Sequence, residues 1–297
     1  MTQSLPGALA PGLAPVEPFE HLDALWIQVA GTVCNLACTH CLVSAGPGVD
    51  RHGFMSRASV RGQVAEAVAL GVREIYFTGG EPFLHPEMTA ILMDTLGVAP
   101  CTVLTNGTLF PPERLAALAA LARDARYALE LRVSLDGDTA EAHDAIRGPG
   151  AFVRALDGVQ RCDAAGLLPI VTVTHALGDD PLAVRARYDA VLRAHGVARP
   201  RVKLLPLFRI GRESERSGGY APGDTLAGVR QDAIDPARLQ CGRSRAVSTQ
   251  GVFACPILVD EPGTRLAANL ADTLVSIPLA HPACLTCHVT GMTCGNG

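Results

Sequence analysis

Three thiols stand close together in CNLACTHC, at Cys34, Cys38 and Cys41. Structural zinc normally takes four ligands, arranged as cysteine pairs two to four residues apart. Here three cysteines share one loop and no partner pair follows closely. A [4Fe–4S] cluster can be held by three cysteines, which leaves one iron free to take a substrate or cofactor. Five of the ten cysteines fall in a second group, at Cys241, Cys255, Cys284, Cys287 and Cys294. Their spacing fits either a structural zinc site or a second cluster. Cys101 and Cys162 lie in or beside apolar segments and read as core. Lys203 is the single lysine, so amine chemistry has one candidate at most.

Other short motifs fall at turns. TGGEP (78–82), TNG (105–107) and SLDG (134–137) each end an apolar run, and HDAIRG (143–148) follows. Each alone reads as an ordinary turn. Together they mark the ends of consecutive strands, where barrels of alternating strands and helices put their active sites.

The elements that must position these residues alternate regularly. Strands are expected at 25–33, 73–80, 102–107, 127–137, 168–175 and 201–210. Helices are expected at 56–70, 86–97, 112–122, 151–166 and 181–196. The connections are too long for hairpins, so the strands should be parallel. The expected fold is α/β, a partial (β/α)6 TIM-like barrel with a small C-terminal domain that depends on metal, an iron–sulfur domain if the resemblance given below holds. Its parts are an N-terminal tail (1–22), the core (23–210), a linker (211–240) and the cysteine-rich domain (241–297). Within the last, 247–258 reads as a small hairpin. Strand alternation turns Leu131, Val133, Val171, Val173, Val202 and Leu204 toward the helices. Glu130, Arg132, Thr172, Thr174 and Lys203 then face the lumen, which suggests a wet cavity of ligand size.

Net charge is −4 and the isoelectric point about 6.1, which gives no electrostatic footprint for nucleic acid. Apolar residues make up 48% of the chain, enough for a sizeable core. No basic region followed by an apolar run marks a signal peptide, and no apolar segment nears the ~18 residues of a membrane span. The expected location is the cytoplasm, with reduced thiols.

CNLACTHC after the first strand, with the turn motifs after the next three, closely resembles the radical S-adenosylmethionine (SAM) superfamily. The resemblance covers about 25–210. It implies a [4Fe–4S] cluster on Cys34, Cys38 and Cys41 whose open iron takes SAM, and a 5′-deoxyadenosyl radical that abstracts hydrogen from substrate. It places Gly79, Gly80, Glu81 and Pro82 at the SAM amino group and Thr105 and Asn106 beside them. Ser134 and Asp136 would meet the ribose and carboxylate, Arg147 the carboxylate, and His40 the adenine. The distal group resembles a Twitch or SPASM auxiliary-cluster domain. Gly251 stands between Cys241 and Cys255, and RLAANL (265–270) follows. That implies a second [4Fe–4S] cluster on Cys241, Cys255, Cys284 and Cys287, with Cys294 spare. Pro256 occupies the place where some peptide-modifying relatives carry an aspartate base.

Such peptide-modifying relatives often carry a recognition domain ahead of the barrel, for which no room is left before residue 25. The substrate is therefore expected to be a small polar molecule: an aminocyclitol, amino sugar or nucleoside. Its contacts would be Glu130, Arg132, Thr172, Thr174, Lys203 and Arg209. The expected outcome is oxidation, with the auxiliary cluster as electron acceptor and a flavodoxin or ferredoxin as electron donor. The alternatives are epimerisation, with Cys294 returning a hydrogen atom, and peptide maturation. A non-enzymatic iron–sulfur sensor or scaffold would leave the SAM motifs unexplained.

Overall fold

The computed structural model describes residues 14–176, 178–291 and 294–295. Residues 1–13, most of the segment read as a tail, lie outside the described residues. The chain runs β1 (Val16–Glu17), β2 (Ala24–Gln28), α1 (Arg57–Ala69), β3 (Glu74–Thr78), α2 (Met88–Leu96), β4 (Cys101–Thr105), α3 (Pro112–Asp124), β5 (Leu129–Ser134), α4 (Ala140–Arg147), α5 (Ala151–Ala164), β6 (Ile170–His175), α6 (Pro181–Ala194) and β7 (Val202–Pro206). It continues with α7 (Arg212–Ser217), β8 (Ser244–Ser248), β9 (Gly251–Phe253), β10 (Arg265–Ala267), β11 (Ile277–Pro278) and α8 (Ala283–Thr290).

Strands β2 to β7 pair in parallel and in chain order, each joined to the next through helix. This is a partial mixed α/β barrel. Its helix side is one continuous core: Leu25, Ile27, Ile75, Phe77, Val103, Leu131, Val133, Val171 and Val173 are all buried there. The alternation of the strands thus delivers the apolar set to the helices. Ser56 starts α1 by accepting the Ser59 N–H at 3.2 Å, as a short side-chain oxygen does at a helix N-terminus.

The C-terminal part continues the sheet. β8 pairs in parallel with β2, and β9 and β10 follow antiparallel, giving one nine-stranded sheet whose edges are β10 and β7. The hairpin expected near 247–258 is formed by β8 and β9, with Ser248 opposite Gly251. β1 pairs with β11, tying the N-terminal segment to the cysteine-rich one. The segment read as a linker holds α7, whose Glu213 is fully buried and accepts twice from Arg216.

The lumen carries a second apolar cluster. Trp26 and Tyr76 stack with ring centroids 4.0 Å apart, joined by Phe208, Ile210, Cys255, Ile257 and Cys294. The lumen is therefore partly filled from the C-terminal segment, which sequence parity could not show.

Candidate functional site

The strand ends converge as turn motifs on such a sheet must. The cysteine loop follows β2. Gly79 and Gly80 follow β3 and lie against that loop. A Cβ at Gly80 would sit 2.0 Å from the Val33 carbonyl oxygen, and Gly79 has φ +120° with Gly31 N 2.9 Å from its own missing Cβ. The contact requires two residues without side chains.

These turns close around a cavity of about 230 Å³. Cys34, Cys38, Cys41, His40, Gly79, Gly80, Thr105, Asn106, Ser134, Thr174 and Arg147 line it. Each of the three loop thiols is met by nitrogen donors. The Leu36 N–H points to Cys34 Sγ at 3.5 Å and the Ala45 N–H to Cys41 Sγ at 3.3 Å. Asn106 Nδ2 lies 3.9 Å from Cys34 Sγ, and Arg147 Nη1 3.8 Å from Cys38 Sγ. Donors of this kind suit thiolates that ligate a cluster. As free thiols, two of them resist ionisation: burial pushes Cys34 up to about 11 and raises Cys38.

Asp136 sits behind the cavity. Its Oδ2 accepts from His40 Nε2 at 2.8 Å and Arg147 Nε at 2.5 Å, and its Oδ1 from the Thr174 N–H at 2.9 Å. Burial works to raise its pKa, but Arg147 and His40 overrule it and hold the carboxyl well below the usual range. Asp136 therefore fixes His40 and Arg147 at the cavity wall. Glu81 is expected to offer its carboxylate to an ammonium. It is fully buried, away from the cavity lining, and accepts from Thr105 Oγ1 at 2.7 Å, Phe83 N at 3.0 Å and Asn106 N at 2.8 Å. Burial raises its pKa, against these three bonds. It ties the turn after β3 to the turn after β4. Pro82 is buried beside it and opens a short 3₁₀ turn.

The residues expected to meet substrate divide. Thr174 lines the cavity. Glu130, Arg132, Thr172 and Lys203 do not. Glu130 pairs with Arg201 at 2.6 Å. Arg132 Nη1 donates to the Cys294 carbonyl at 2.6 Å, and Lys203 Nζ donates to the Gly295 carbonyl. Gln240 Oε1 accepts the Cys294 N–H at 3.1 Å. Two lumen cations thus hold a two-residue strap, Cys294 and Gly295, against the barrel strands. Arg209 pairs with Asp224 at 2.5 Å and lies over the Tyr220 ring.

Cys294 lines the same cavity as the first thiol trio, together with Trp26, Leu104, Leu205, Phe208 and Ile257. Cys241, Cys255, Cys284 and Cys287 line a separate apolar cavity, and Ile257 borders both. Burial pushes Cys255 up to about 12 and Cys284 up to about 11. Four thiols on one dry cavity form a donor set that suits a metal centre able to displace their protons. Among the described residues, no three or more His, Cys, Asp or Glu side chains are gathered to hold a single metal ion.

Two contributors were not singled out in the sequence, Asn35 within the cysteine loop and Arg212 outside any motif. Asn35 Oδ1 accepts from Asn106 Nδ2 at 2.8 Å, and the Arg212 N–H donates to the Cys41 carbonyl at 3.1 Å while its guanidinium reaches the Ala45 carbonyl. Arg212 directly follows the glycine after the sixth barrel strand, and that position is the only signal the sequence carried.

A parallel α/β sheet with a three-cysteine loop facing a Gly-Gly turn defines a class, and the family model of the radical SAM superfamily matches residues 29–181, just over half of the chain. The chain belongs to the radical SAM superfamily. It is 34% identical over 190 residues to the mycofactocin maturase MftC of Mycobacterium ulcerans (strain Agy99), which covers 60% of this chain and 49% of that protein. It is 35% identical over 137 residues to the AdoMet-dependent heme synthase of Methanosarcina barkeri, covering 46% of this chain and 37% of that one. The chain spans about half the length of the curated relatives it matches, or less. Among solved structures, Streptococcus suis SuiB bound to S-adenosylmethionine superposes with a TM-score of 0.62 at 13% identity, over 87% of this chain and 67% of SuiB. anSMEcpe with bound AdoMet gives 0.60 at 15% identity, over 84% and 79%. These two likenesses are of fold.

Proposed function

We propose that this chain is a radical SAM enzyme acting on a residue within a peptide. One observation carries the reading: a single cavity sets three donor-met thiols and a glycine turn above an apolar wall of Trp26, Leu104, Leu205, Phe208 and Ile257. A [4Fe–4S] cluster held by Cys34, Cys38 and Cys41 together with SAM supplies, when bound, a 5′-deoxyadenosyl radical that abstracts hydrogen from a C–H bond. Gly79, Gly80, Thr105, Asn106 and Ser134 form the bed for SAM. Arg147 and His40, fixed by Asp136, offer it a cation and a ring. The apolar wall excludes water from the reacting carbon. A second cluster fits Cys241, Cys255, Cys284 and Cys287, and electrons would come from a flavodoxin- or ferredoxin-type donor.

The small polar substrate expected above loses its main support, because Arg132, Lys203 and Glu130 are engaged within the protein. Peptide chemistry is supported by the apolar wall and by likeness to a protein named as a maturase. Within it, oxidation would use the auxiliary cluster as electron acceptor. A second outcome, epimerisation, is favoured by the Cys294 thiol on the cavity wall.

The test is anaerobic incubation of reconstituted protein with SAM and dithionite. Release of 5′-deoxyadenosine and methionine is expected, and no release over background overturns the reading. Turnover of a peptide substrate in D2O then separates the outcomes. Oxidation removes two hydrogens, and epimerisation places one deuteron on carbon.

A further inference from the structure

Arg245, on β8, is fully buried. Its guanidinium donates to four backbone carbonyls: Nε to Thr273 at 2.7 Å, Nη1 to Cys241 and Ser244 at 2.6 Å each, and Nη2 to Val275 at 2.7 Å. Phe19 covers one face, its ring centroid 4.4 Å from the guanidinium carbon. Among the described residues, no carboxylate pairs with this guanidinium. The carbonyls satisfy its N–H groups but leave its net charge without a counter-charge. A buried charge of that kind is costly unless an anion lies near.

The anions that this part of the chain can supply are thiolates. Cys241, whose carbonyl accepts from Nη1, lines the distal cavity. The β8–β9 register sets Ala246 opposite Phe253. Carried one step further, it brings Arg245 beside Ala254, which lines that cavity too, and Cys255 follows directly. Cys241 and Cys255 are the acidic groups within electrostatic reach of the guanidinium. Glu17 also acts on Cys241, but Glu17 has Arg243 as a nearby cation. Arg245 does not itself line the cavity. It stands behind the wall that carries these two thiols. As protonated thiols they would leave it uncompensated. A [4Fe–4S] cluster ligated by four thiolates carries net negative charge, and one unit more when reduced.

We infer that Arg245 is a positioning residue for the distal centre: held by four carbonyls behind Cys241 and Cys255, its fixed positive charge offsets the cluster's negative charge and favours the reduced form. Net charge is one of the levers that set a cluster's potential. The inference rests on the second cluster proposed above and deepens its reading as an electron acceptor. The competing role is a clamp and nothing more, since the same four bonds tie β8 to residues 273–275.

The test uses the full chain carrying Cys34→Ala, Cys38→Ala and Cys41→Ala, reconstituted anaerobically, so that the distal centre alone is read. A redox titration followed by electron paramagnetic resonance gives its potential in this parent, in Arg245→Gln and in Arg245→Lys. Both variants leave some carbonyls unmet, and only the glutamine removes the charge. Arg245→Gln is expected to shift the one-electron equilibrium about tenfold toward the oxidised form, a potential lower by about 59 mV. Arg245→Lys is expected to stay within about threefold of the parent. The inference is overturned if the two variants shift alike or if Arg245→Gln leaves the potential unchanged. It is equally overturned if neither variant holds distal iron, which would make Arg245 a clamp only. Iron kept by the lysine variant and lost by the glutamine variant assigns the effect to charge and supports it. Metal in the parent reports separately on the second cluster itself. About four irons per chain with iron–sulfur absorption supports that reading whatever the variants do, and zinc or no metal overturns both.

Discussion

The Arg132 guanidinium donates to the Cys294 carbonyl at 2.6 Å, joining the fourth barrel strand to a residue 162 positions later in the chain. Lys203 makes the matching bond to Gly295, and Gln240 accepts the Cys294 N–H. Three side chains from three places therefore seat one short strap, and the strap carries a thiol on the cavity wall. Arg132 is fully buried, and burial lowers its pKa.

Loosening the strap should expose that thiol. Lys203→Met removes one charge-assisted bond and leaves the apolar stem. Alkylation of Cys294, followed by peptide mapping, is expected to speed up about tenfold or more, as local opening becomes easier. Cys101 and Cys162, both buried in the helix-side core, serve as unchanged references. Equal rates in the two proteins would show that the strap is held by something else.

Gly80→Ala should strike the cysteine loop. Its Cβ would meet the Val33 carbonyl oxygen at 2.0 Å and Cys34 N at 3.0 Å, both backbone atoms that cannot rotate away. Iron content after reconstitution is expected to fall by about four per chain, the complement of one [4Fe–4S] cluster. Full iron content would mean that the loop moves aside freely.

Metal analysis checks the two thiol groups directly. Reconstituted protein should hold about eight irons per chain, and Cys34→Ala, Cys38→Ala and Cys41→Ala together should leave about four. Zinc in anaerobically prepared protein, at the distal thiols alone, would remove the second cluster and its role as electron acceptor.

Glu81→Gln should cost stability as well as SAM handling. The substitution puts an amide donor where two acceptor oxygens now meet three donors. A loss of about 1–3 kcal/mol in chemical denaturation is expected, with weaker SAM binding as the turn after β4 shifts. An unchanged denaturation midpoint would show that the carboxylate does not brace the two turns.

His143 contributes a pH dependence of definite sign. Burial, then Arg147, lowers its pKa from 6.5 to about 4, and its Nδ1 accepts the Asp136 N–H at 3.1 Å. Between these two values the unfolded chain binds the extra proton, so stability falls as pH drops from about 6.5 toward 4. Glu17 acts in the opposite sense: burial, then Glu20, raises it from 4.5 to about 7, and its contribution is lost as pH rises through that window. The difference between wild type and His143→Asn isolates the histidine. Urea midpoints should fall less steeply on acidification in the variant, and parallel slopes would reject the assignment.

The six strand–helix units were legible because their signals are local. A period of two in the strands and apolar runs that break at turn motifs such as TGGEP and TNG are written residue by residue. The first thiol trio was legible for the same reason, since one loop holds all its members. The helix α4 (Ala140–Arg147) was seen only as a motif, because its eight residues make little more than two turns and bury only His143. α7 was read as a linker because RESERS is polar throughout, and only the burial of Glu213 against the rest of the chain makes it structure.

By itself the sequence determined which residues could ligate, which strands alternate, and the order of the turn motifs. Those properties depend on neighbours within a few positions. The tertiary structure alone decided what each lumen residue does. Alternation put Arg132 and Lys203 inside the barrel, but whether they meet a ligand or the chain itself depends on where residues 294–295 return. Likewise Trp26 read as one apolar residue of a strand. It packs in one cluster with Phe208 and Ile257, some 180 and 230 residues away, and its buried N–H has no partner among the described residues. Hydrogen-bond satisfaction is a property of the folded surroundings, and no local pattern encodes it.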